Sequence, residues 1–581
     1  MKKLFMTIAL MAVAMIVYGQ EAPAPKWLSK AQKSIVSVIT YDKNREKLHE
    51  GCGFVVSTDG AVISTYNTFK EAYSGVVVDA SGNKYDVERI LGADDLYGLV
   101  RFRISNKKTT PVTFASATAS NRGMDVLAIG YTKGKVNVVP KAAIEKKDMV
   151  GDGKYAYYTI TTEFDGKQEG HGLFNTKGEL LGIILSSVDK KSGAIDGAMG
   201  RDLTLEALQN RSQSMAFNKI YIKKGIPETP EEALVYLYLK SRSADNDEYM
   251  DLVNLFIETF PENAEGYLRR ATPLIDLHRF DDAEHDLQTY LRLVADKGQG
   301  HASVAKTIYS KLLYMPEPAY DKWTYPIALD HVEQALTLMK EDVDKEPKAE
   351  LKEMKKATLY ETILLKAQML SSSGDHRGSL AIYDEMNEGE YKGPGTYYAA
   401  SMEHQLAGDT IDVQIEMMDS CLAQFPDSLP PDAATFVMRR AKLYTTAGQY
   451  RKAVADYNTF YELNKGQVSS AFYYDRSQLE LQGRMYQQAL DDITKAVEQT
   501  PESPLYLVEK SAMHLRVNQL DECISAAEKC IALSQEYPDA YRILGYAQIQ
   551  KGDKVSARRN LEKAKELGDE SAQEIMDKFL K

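Results

Sequence analysis

The sequence predicts a multidomain chain in which an all-β domain is followed by an all-α solenoid of helical repeats. Its 581 residues are too many for one hydrophobic core, so several packed units are expected. Short β-branched runs separated by turn residues occupy roughly the first third of the chain, which is typical of an all-β domain. Helical periodicity follows, and one pattern occurs twice, 34 residues apart, between Pro504 and Ala564.

Residues 1–19 have the features of a secretory signal peptide. Lys2 and Lys3 precede an apolar run over Leu4–Tyr18, and small residues lead to a cleavage position before Gln20. That run is shorter than the roughly 20 residues that a membrane span needs. A leader of this type with Gln at the cleavage position is similar to those of exported Bacteroidota proteins. We expect a mature chain in the periplasm or cell envelope that is not a lipoprotein and has no transmembrane segment.

The chain is acidic, with a formal net charge of −12. Nucleic-acid binding depends on neutralising phosphates with Lys and Arg, so a chain without a basic stripe is not expected to bind nucleic acid. The acidity itself favours solubility. Because the sequence has no CxxC pair and no cluster of His and Cys, neither a metal nor a cofactor is expected.

Four cysteines occur, at Cys52, Cys421, Cys523 and Cys530. The last two lie seven residues apart on one predicted helix, which separates their Cα atoms by about 10.5 Å, beyond the reach of a disulfide. Both occupy positions that hold Ala in neighbouring repeats. We therefore interpret them as small buried residues.

The all-β domain begins after a Pro-rich stretch at 22–25. Short β-branched runs with turn signals such as Asp59 and Gly60 between them predict a series of strands. Many short strands at this spacing indicate a sandwich or a barrel. The predicted strands are Ser34–Tyr41, Gly53–Ser57, Ala61–Ser64, Gly75–Asp79, Leu99–Ile104, Asp125–Gly130, Val136–Val139, Ala156–Thr162 and Glu179–Leu185.

Four stretches of this domain carry a family resemblance: GCGFVVSTDG at 51–60, AVISTYN at 61–67, LGADDLYGLVR at 91–101 and GHGLFNTKGELLGI at 170–183. In order and spacing they resemble a trypsin-fold protease of the HtrA/DegP type. The resemblance implies a trypsin-like domain over 26–212, built from two antiparallel β-barrels with the active site in the cleft between them.

The resemblance also identifies the three positions at which that family holds its catalytic residues. Asn67 occupies the position of the catalytic His, Gly98 that of the orienting carboxylate, and Glu169 that of the nucleophilic Ser. Acyl transfer needs a nucleophile, a base beside it and a group that orients the base. Asn67 accepts no proton at neutral pH, Gly98 has no side chain, and Glu169 is a poor nucleophile towards an amide. We therefore predict a pseudoprotease with no catalytic residues.

A relocated site is the alternative. Glu169 and His171 are close in sequence and would serve as an acid–base pair. Against this, no Ser or Cys occurs between Gly151 and Leu185 to act as a nucleophile. We favour the interpretation that both are loop residues of an inactive cleft, and we interpret the adjacent acids Asp94 and Asp95 as solvated loop residues.

Residues 213–228 are predicted to be a linker. They are largely polar and basic, and Pro227 lies near their end. Within them, Ile220–Lys224 is interpreted as either a closing strand or a docking segment. Helical periodicity begins at Pro230, where Thr229 is the expected N-cap with Glu232 three residues later.

The helical region over 229–581 resembles an array of tetratricopeptide repeats (TPR). In each 34-residue period a bulky residue, a small residue four later and two small residues seven apart predict two packed helices. We expect about nine helical hairpins, the last of which is only a short capping helix over Ser571–Leu580. The exact number of repeats between 301 and 430 is left open.

Oppositely charged residues recur together within these repeats. Three Arg residues on first helices are each followed 16 residues later by an Asp on the second helix. In the next repeat both positions change together, to Lys510 and Ala526, and in the last to Leu544 and Asn560. This covariation predicts ion pairs between the two helices of a repeat, with Arg lining a binding groove as the alternative. The predicted pairs are Arg270–Asp286, Arg440–Asp456 and Arg476–Asp492.

Helical solenoids present extended surfaces that most often hold peptides or proteins. The favoured hypothesis is an exported non-catalytic scaffold that binds protein or peptide partners. The first alternative is an active serine-protease-like peptidase with a non-standard site. The second is a structural subunit of a cell-envelope complex.

Overall fold

The computed structural model describes residues 25–116, 120–132, 135–162, 168–188, 191–208 and 211–581. These residues form two compact units, one ending at Ala295 and the other beginning at Asp296. The expected signal peptide over 1–19 lies outside the described residues and stays a prediction. Among the described residues, no helix combines the length and the hydropathy that a membrane span requires.

Twelve strands are described in the first unit. They are β1 Ile35–Tyr41, β2 Lys47–Val55, β3 Ala61–Thr65, β4 Ser74–Val78, β5 Lys84–Asp94, β6 Leu99–Ile104, β7 Asp125–Thr132, β8 Lys135–Val150, β9 Tyr155–Ile160, β10 Gly172–Asn175, β11 Leu180–Val188 and β12 Lys191–Asp196. They close into two antiparallel barrels with strand orders β1-β2-β3-β6-β5-β4 and β10-β11-β12-β9-β8-β7. Closure leaves neither sheet with a free edge.

The strand predictions miss β5, β10 and β12. β10 has only four residues, and it is held by pairing with β7 and β11 on either side. β12 contains Ser, Gly and Ala and only one β-branched residue, Ile195, and it pairs with β9 on one side and β11 on the other. These segments form strands because they pair with strands that are distant in sequence, and the local sequence pattern does not show that pairing.

The helical elements begin with four short helices among the barrels: α1 Leu28–Ala31, α2 Tyr66–Phe69, α3 Gly197–Asp202 and α4 Arg211–Asn218. Nine hairpins and one terminal helix follow in 230–581, all of which the structure describes. Their helices are α5 Pro230–Lys240, α6 Asn246–Thr259, α7 Ala264–Asp276, α8 Phe280–Leu293, α9 Lys297–Tyr314, α10 Tyr325–Lys345, α11 Ala349–Ser372, α12 His376–Glu388, α13 Pro394–Leu406, α14 Ile411–Leu422, α15 Ala434–Thr446, α16 Tyr450–Leu463, α17 Ser470–Gln482, α18 Tyr486–Gln499, α19 Pro504–Arg516, α20 Leu520–Leu533, α21 Pro538–Lys551, α22 Lys554–Glu566 and α23 Ser571–Phe579.

Residues 213–228 do not behave as a free linker. They include most of α4, and most of their apolar side chains belong to the core of the first barrel, which continues into α5 and α6, although Met215 and Tyr221 are exposed. The backbone also docks, since Ile90 N donates to Lys223 O at 2.8 Å and Gly225 N donates to Ile90 O at 2.8 Å. The division between the two compact units falls later, after Ala295. Ile220 and Ile222 are buried on either side of the exposed Tyr221, a feature that average composition does not reveal.

An ion pair between the first barrel and α6 reinforces this attachment. Arg89 on β5 donates from Nη1 and Nη2 to the two carboxylate oxygens of Asp251, at 2.6 and 3.0 Å. Lys223 donates to the same carboxylate at 2.8 Å. A bidentate pair with a second cation holds its geometry better than an isolated surface pair.

Small residues allow close packing within the helical hairpins. A methyl group added to Gly545 on α21 would lie 2.7 Å from Leu561 Cγ and 3.1 Å from Ala557 O on α22. At the same position on α19, Ser511 Oγ donates to Cys523 O at 2.9 Å. Pro504 and Pro538 stand at the first turn of α19 and α21, where a missing N–H costs nothing.

Candidate functional site

The structure brings the three family positions together at the junction of the two barrels. Asn67 lies on α2, directly after β3 of the first barrel, and Glu169 lies in the loop before β10 of the second. Although they are 102 residues apart, Asn67 Nδ2 donates to Glu169 Oε1 at 3.0 Å. Gly98 is next to them, since its carbonyl accepts a bond of 2.8 Å from Tyr66 N. Its φ of +66° is a conformation that favours glycine.

The contact between Asn67 and Glu169 joins an amide to a carboxylate. The amide is a donor without a titratable proton, and the carboxylate accepts from it. Neither group carries a nucleophile that the other could activate, so this pair is not the nucleophile and base that acyl transfer needs.

The hydroxyl groups beside this pair are engaged in structural hydrogen bonds. Thr65 and Thr68 share a hydrogen bond of 2.8 Å between their hydroxyl oxygens, and both side chains are buried. Ser64 Oγ donates to Cys52 O at 2.6 Å, and Thr40 Oγ1 donates to Thr68 O at 2.7 Å. Their partners are carbonyls or other hydroxyls, which are not general bases.

A thiol and an imidazole lie beneath the cleft, both next to Gly130. A methyl group added to Gly130 would lie 2.2 Å from Cδ2 of His171 and 2.7 Å from Sγ of Cys52. Both side chains are only 1% exposed. This neighbourhood was not predicted, although Cys52 and His171 each lie in one of the four family stretches, and the two stretches pack together in the resembling fold.

The environment keeps this thiol and this imidazole neutral. Burial raises the pKa of Cys52 to about 11, so the thiolate that would act as a nucleophile is disfavoured. Burial lowers the pKa of His171, and neither of its ring nitrogens has a hydrogen-bond partner among the described residues. His171 therefore makes no hydrogen bond to Glu169 among the described residues, and the alternative of a relocated acid–base pair is not formed.

Asp94 departs from its predicted solvated loop position. It ends β5, is buried, and accepts a hydrogen bond of 2.9 Å from Tyr97 N. Its neighbour Asp95 is exposed as expected. The Asp94 carboxylate is a turn-forming group, because an Asp side chain readily caps a backbone N–H a few residues on.

All four cysteines are free and buried. Burial also raises the pKa of Cys421 to about 12 and that of Cys530 to about 11. We expect the native protein to show no reaction with Ellman's reagent over minutes, while guanidinium unfolding exposes all four thiols. Rapid titration of one thiol in the native state, lost in a Cys52→Ser variant, would contradict the buried geometry beneath the cleft.

Comparison with known proteins finds a family match for one stretch in each half of the chain. Residues 51–183 match the trypsin-like peptidase domain, and residues 438–504 match the tetratricopeptide repeat. The N-terminal domain is trypsin-like. It resembles HtrA/DegP proteases, and the helical region that follows it has tetratricopeptide repeats.

Individual relatives share part of this chain. It is 28% identical to the anti-sigma-I factor RsgI9 of Acetivibrio thermocellus over 163 residues, which are 28% of this chain and 22% of that protein. It is 25% identical to the serine endoprotease DegS of Haemophilus influenzae over 177 residues, 30% of this chain and 52% of DegS. The chain therefore spans about half or less of the length of these relatives. The active form of the Rv3671c protease from M. tuberculosis aligns with a TM-score of 0.28 and 18% identity, covering 36% of this chain and 90% of that one.

The tetratricopeptide repeats place each of the three predicted Arg residues beside its Asp. Every guanidinium forms two hydrogen bonds with both oxygens of the carboxylate. The distances are 2.7 and 2.8 Å for Arg270–Asp286, 3.0 and 2.7 Å for Arg440–Asp456, and 2.5 and 2.9 Å for Arg476–Asp492. The carboxylates are buried, which makes these bidentate pairs part of the repeat core.

Each of these Arg residues also reaches the preceding repeat, which the sequence pattern did not predict. Nη1 donates to an oxygen on the second helix before it: Asn254 on α6 at 2.9 Å, Asp419 on α14 at 2.8 Å and Asn458 on α16 at 2.8 Å. The Arg residues therefore join three helices and contribute to the interface between neighbouring repeats.

Proposed function

We propose that this protein is an exported, non-catalytic scaffold in which a proteolytically inactive trypsin-like domain is joined to TPR repeats that bind protein or peptide partners. The observation that carries the proposal is the hydrogen bond between Asn67 and Glu169, at the positions where the family holds its base and nucleophile. Relatives of the trypsin-like domain include proteins named as serine proteases. This chain departs from the family pattern at all three catalytic positions, which supports loss of cleavage.

The TPR region supports the binding part of the proposal. A cavity of about 770 Å³ opens between α19 and α21. Its lining combines charged side chains such as Glu509 and Arg542 with aromatic ones such as Tyr537 and Tyr546. Tyr supplies contact area together with a polar group, so this surface suits a polypeptide ligand.

Location in the periplasm or cell envelope is part of the same proposal. The leader-like residues 1–19 support it, and several relatives are named as probable periplasmic serine endoproteases. Fractionation of cells expressing the full chain, with detection of a mature N-terminus at Gln20, tests it. Retention of residues 1–19 in the cytoplasmic fraction would contradict export.

A peptidase with a non-standard site is the second candidate, because Cys52 and His171 are neighbours beneath the cleft. Their burial and neutral protonation states argue against it, since an attacking thiolate must reach a substrate carbonyl. A shift of the second barrel that exposed both side chains would be required.

The inactive-domain proposal predicts that the mature chain is not labelled by a fluorophosphonate probe and does not cleave unfolded casein. Trypsin serves as the positive control in both assays. Labelling or cleavage that follows the protein through purification would overturn the proposal. If cleavage were then lost in Cys52→Ser but retained in Glu169→Ala, the thiol would be the nucleophile and the second candidate would be correct.

A further inference from the structure

One repeat contains a cavity at the position where three other repeats hold an Arg–Asp pair. Lys510 on α19 replaces the Arg, and Ala526 on α20 replaces the Asp. The cavity has a volume of about 520 Å³ and is bounded by α19, α20 and the end of α18. Much of its lining is apolar, including Val497, Leu507 and Leu533.

The equivalent position in the first unit shows what the Arg–Asp pair does to this space. There the cavity measures about 180 Å³ and is lined by Arg270 and Asp286. Five of its lining residues lie 240 positions before five that line the larger cavity, so the two sites are equivalent. In the first unit a carboxylate occupies the place that Ala526 leaves open.

In the part of the chain that the structure describes, Lys510 supplies a cation that is not directly paired with a carboxylate, although the charge of Glu498 acts on it. Among the described residues its ammonium group makes no hydrogen bond or ion pair, and burial lowers its pKa. Lys529 adds a second positive charge to the lining, and Glu522 contributes a negative one. His514, also in the lining, is held by Gln519, whose Oε1 is 2.8 Å from Nδ1.

We propose that this cavity binds a carboxylate attached to an apolar group, and that the ligand's carboxylate takes the place of the missing Asp beside Lys510. The apolar lining receives the chain of the ligand, and the ammonium group of Lys510 orients its carboxylate. Small-ligand pockets measure roughly 300–1,000 Å³, so the cavity admits a short aliphatic acid or the last residues of a polypeptide. This inference does not depend on whether the trypsin-like domain cleaves peptides.

Titration of the full chain with hexanoate and with hexanamide, followed by calorimetry or ligand-observed NMR, tests the proposal. We expect saturable binding of hexanoate and binding of the uncharged amide at least about tenfold weaker. A peptide ending in Leu-Leu with a free carboxylate is compared with the same peptide as its C-terminal amide. This comparison shows whether the carboxylate belongs to a polypeptide terminus or to a small aliphatic acid. Tighter binding of the free peptide than of hexanoate identifies a polypeptide terminus, and the reverse order identifies a small acid. The proposal would be overturned if neither hexanoate nor the peptide with a free carboxylate bound, or if each acid bound with the same affinity as its amide.

Two variants separate the cavity from other sites on the surface. Ala526→Asp supplies an internal carboxylate and is expected to abolish hexanoate binding and raise the melting temperature. Lys510→Met removes the cation and is expected to reduce the affinity for hexanoate by about tenfold or more. Lys563→Met, on the exposed face of α22, is the matched control and should leave the affinity unchanged. An affinity of Lys510→Met equal to that of the control would refute the assignment even if Ala526→Asp did not fold.

Discussion

Replacing Asp492 with Ala is expected to lower the free energy of unfolding of the TPR region by about 3–5 kcal/mol. Both members of the Arg476–Asp492 pair are buried, with 7% and 3% of their surface exposed. Removing the carboxylate leaves a guanidinium out of water without its main partner, and that cost exceeds the modest net worth of the intact pair. Arg270 is more exposed, so Asp286→Ala should have a smaller effect.

Urea denaturation followed by far-ultraviolet circular dichroism measures this effect. The control variant copies the last repeat, which has Leu544 at the Arg position and Asn560 at the Asp position. A double variant, Arg476→Leu with Asp492→Asn, is expected to be much less destabilised than Asp492→Ala, since it removes both charges together. A loss below about 1 kcal/mol in Asp492→Ala would mean that solvent reaches Arg476 and that the pair acts as a surface ion pair.

The second large effect is expected from Glu480, one helical turn after Arg476. Its side chain is buried, and Oε2 has no hydrogen-bond partner among the described residues. Burial, with the nearby charge of Asp492, raises the pKa of Glu480 to about 8, although Arg476 and Lys495 oppose the shift. At pH values between the ordinary pKa of Glu and about 8, Glu480 is protonated in the folded chain and ionised in the unfolded chain. The contribution of this bound proton to the free energy of unfolding is present at acid pH and is lost as the pH rises through about 8.

Glu480→Gln is therefore expected to stabilise the protein above pH 8 by about 1–3 kcal/mol, because a neutral amide replaces a buried charge. Below the ordinary pKa of Glu the variant should differ little from the natural protein. Urea midpoints measured for both proteins across this pH range check the prediction, since other titrating groups contribute equally to both. Parallel pH profiles for the two proteins would show that Glu480 is ionised or hydrated in the native state.

Much of the site was predictable because the family stretches preserve order and spacing. Asn67, Gly98 and Glu169 were assigned from short motifs, and in the structure Asn67 bonds to Glu169 beside Gly98. What the motifs did not show was the packing beneath them. Cys52 and His171 became neighbours only when the two barrels closed, because a contact between distant strands leaves no local periodicity.

The same difference between local sequence pattern and tertiary packing explains why 213–228 was predicted to be a linker. The polar composition of 213–228 indicated a linker, but a few apolar side chains were enough to attach it to the first barrel. The free energy gained by burial depends on which apolar side chains face the core, and the average composition of a segment does not show this.

The sequence by itself determined the order of an all-β domain and a helical array, the repeat period, and which Arg and Asp residues vary together. These properties depend on local periodicity and on side-chain chemistry, both of which are readable along one chain. Only the tertiary structure decided that each Arg also reaches the preceding repeat, that Ala526 leaves a cavity beside Lys510, and that the thiol and imidazole under the cleft are sealed from water. Those features depend on distances between elements far apart in sequence, which are set by packing.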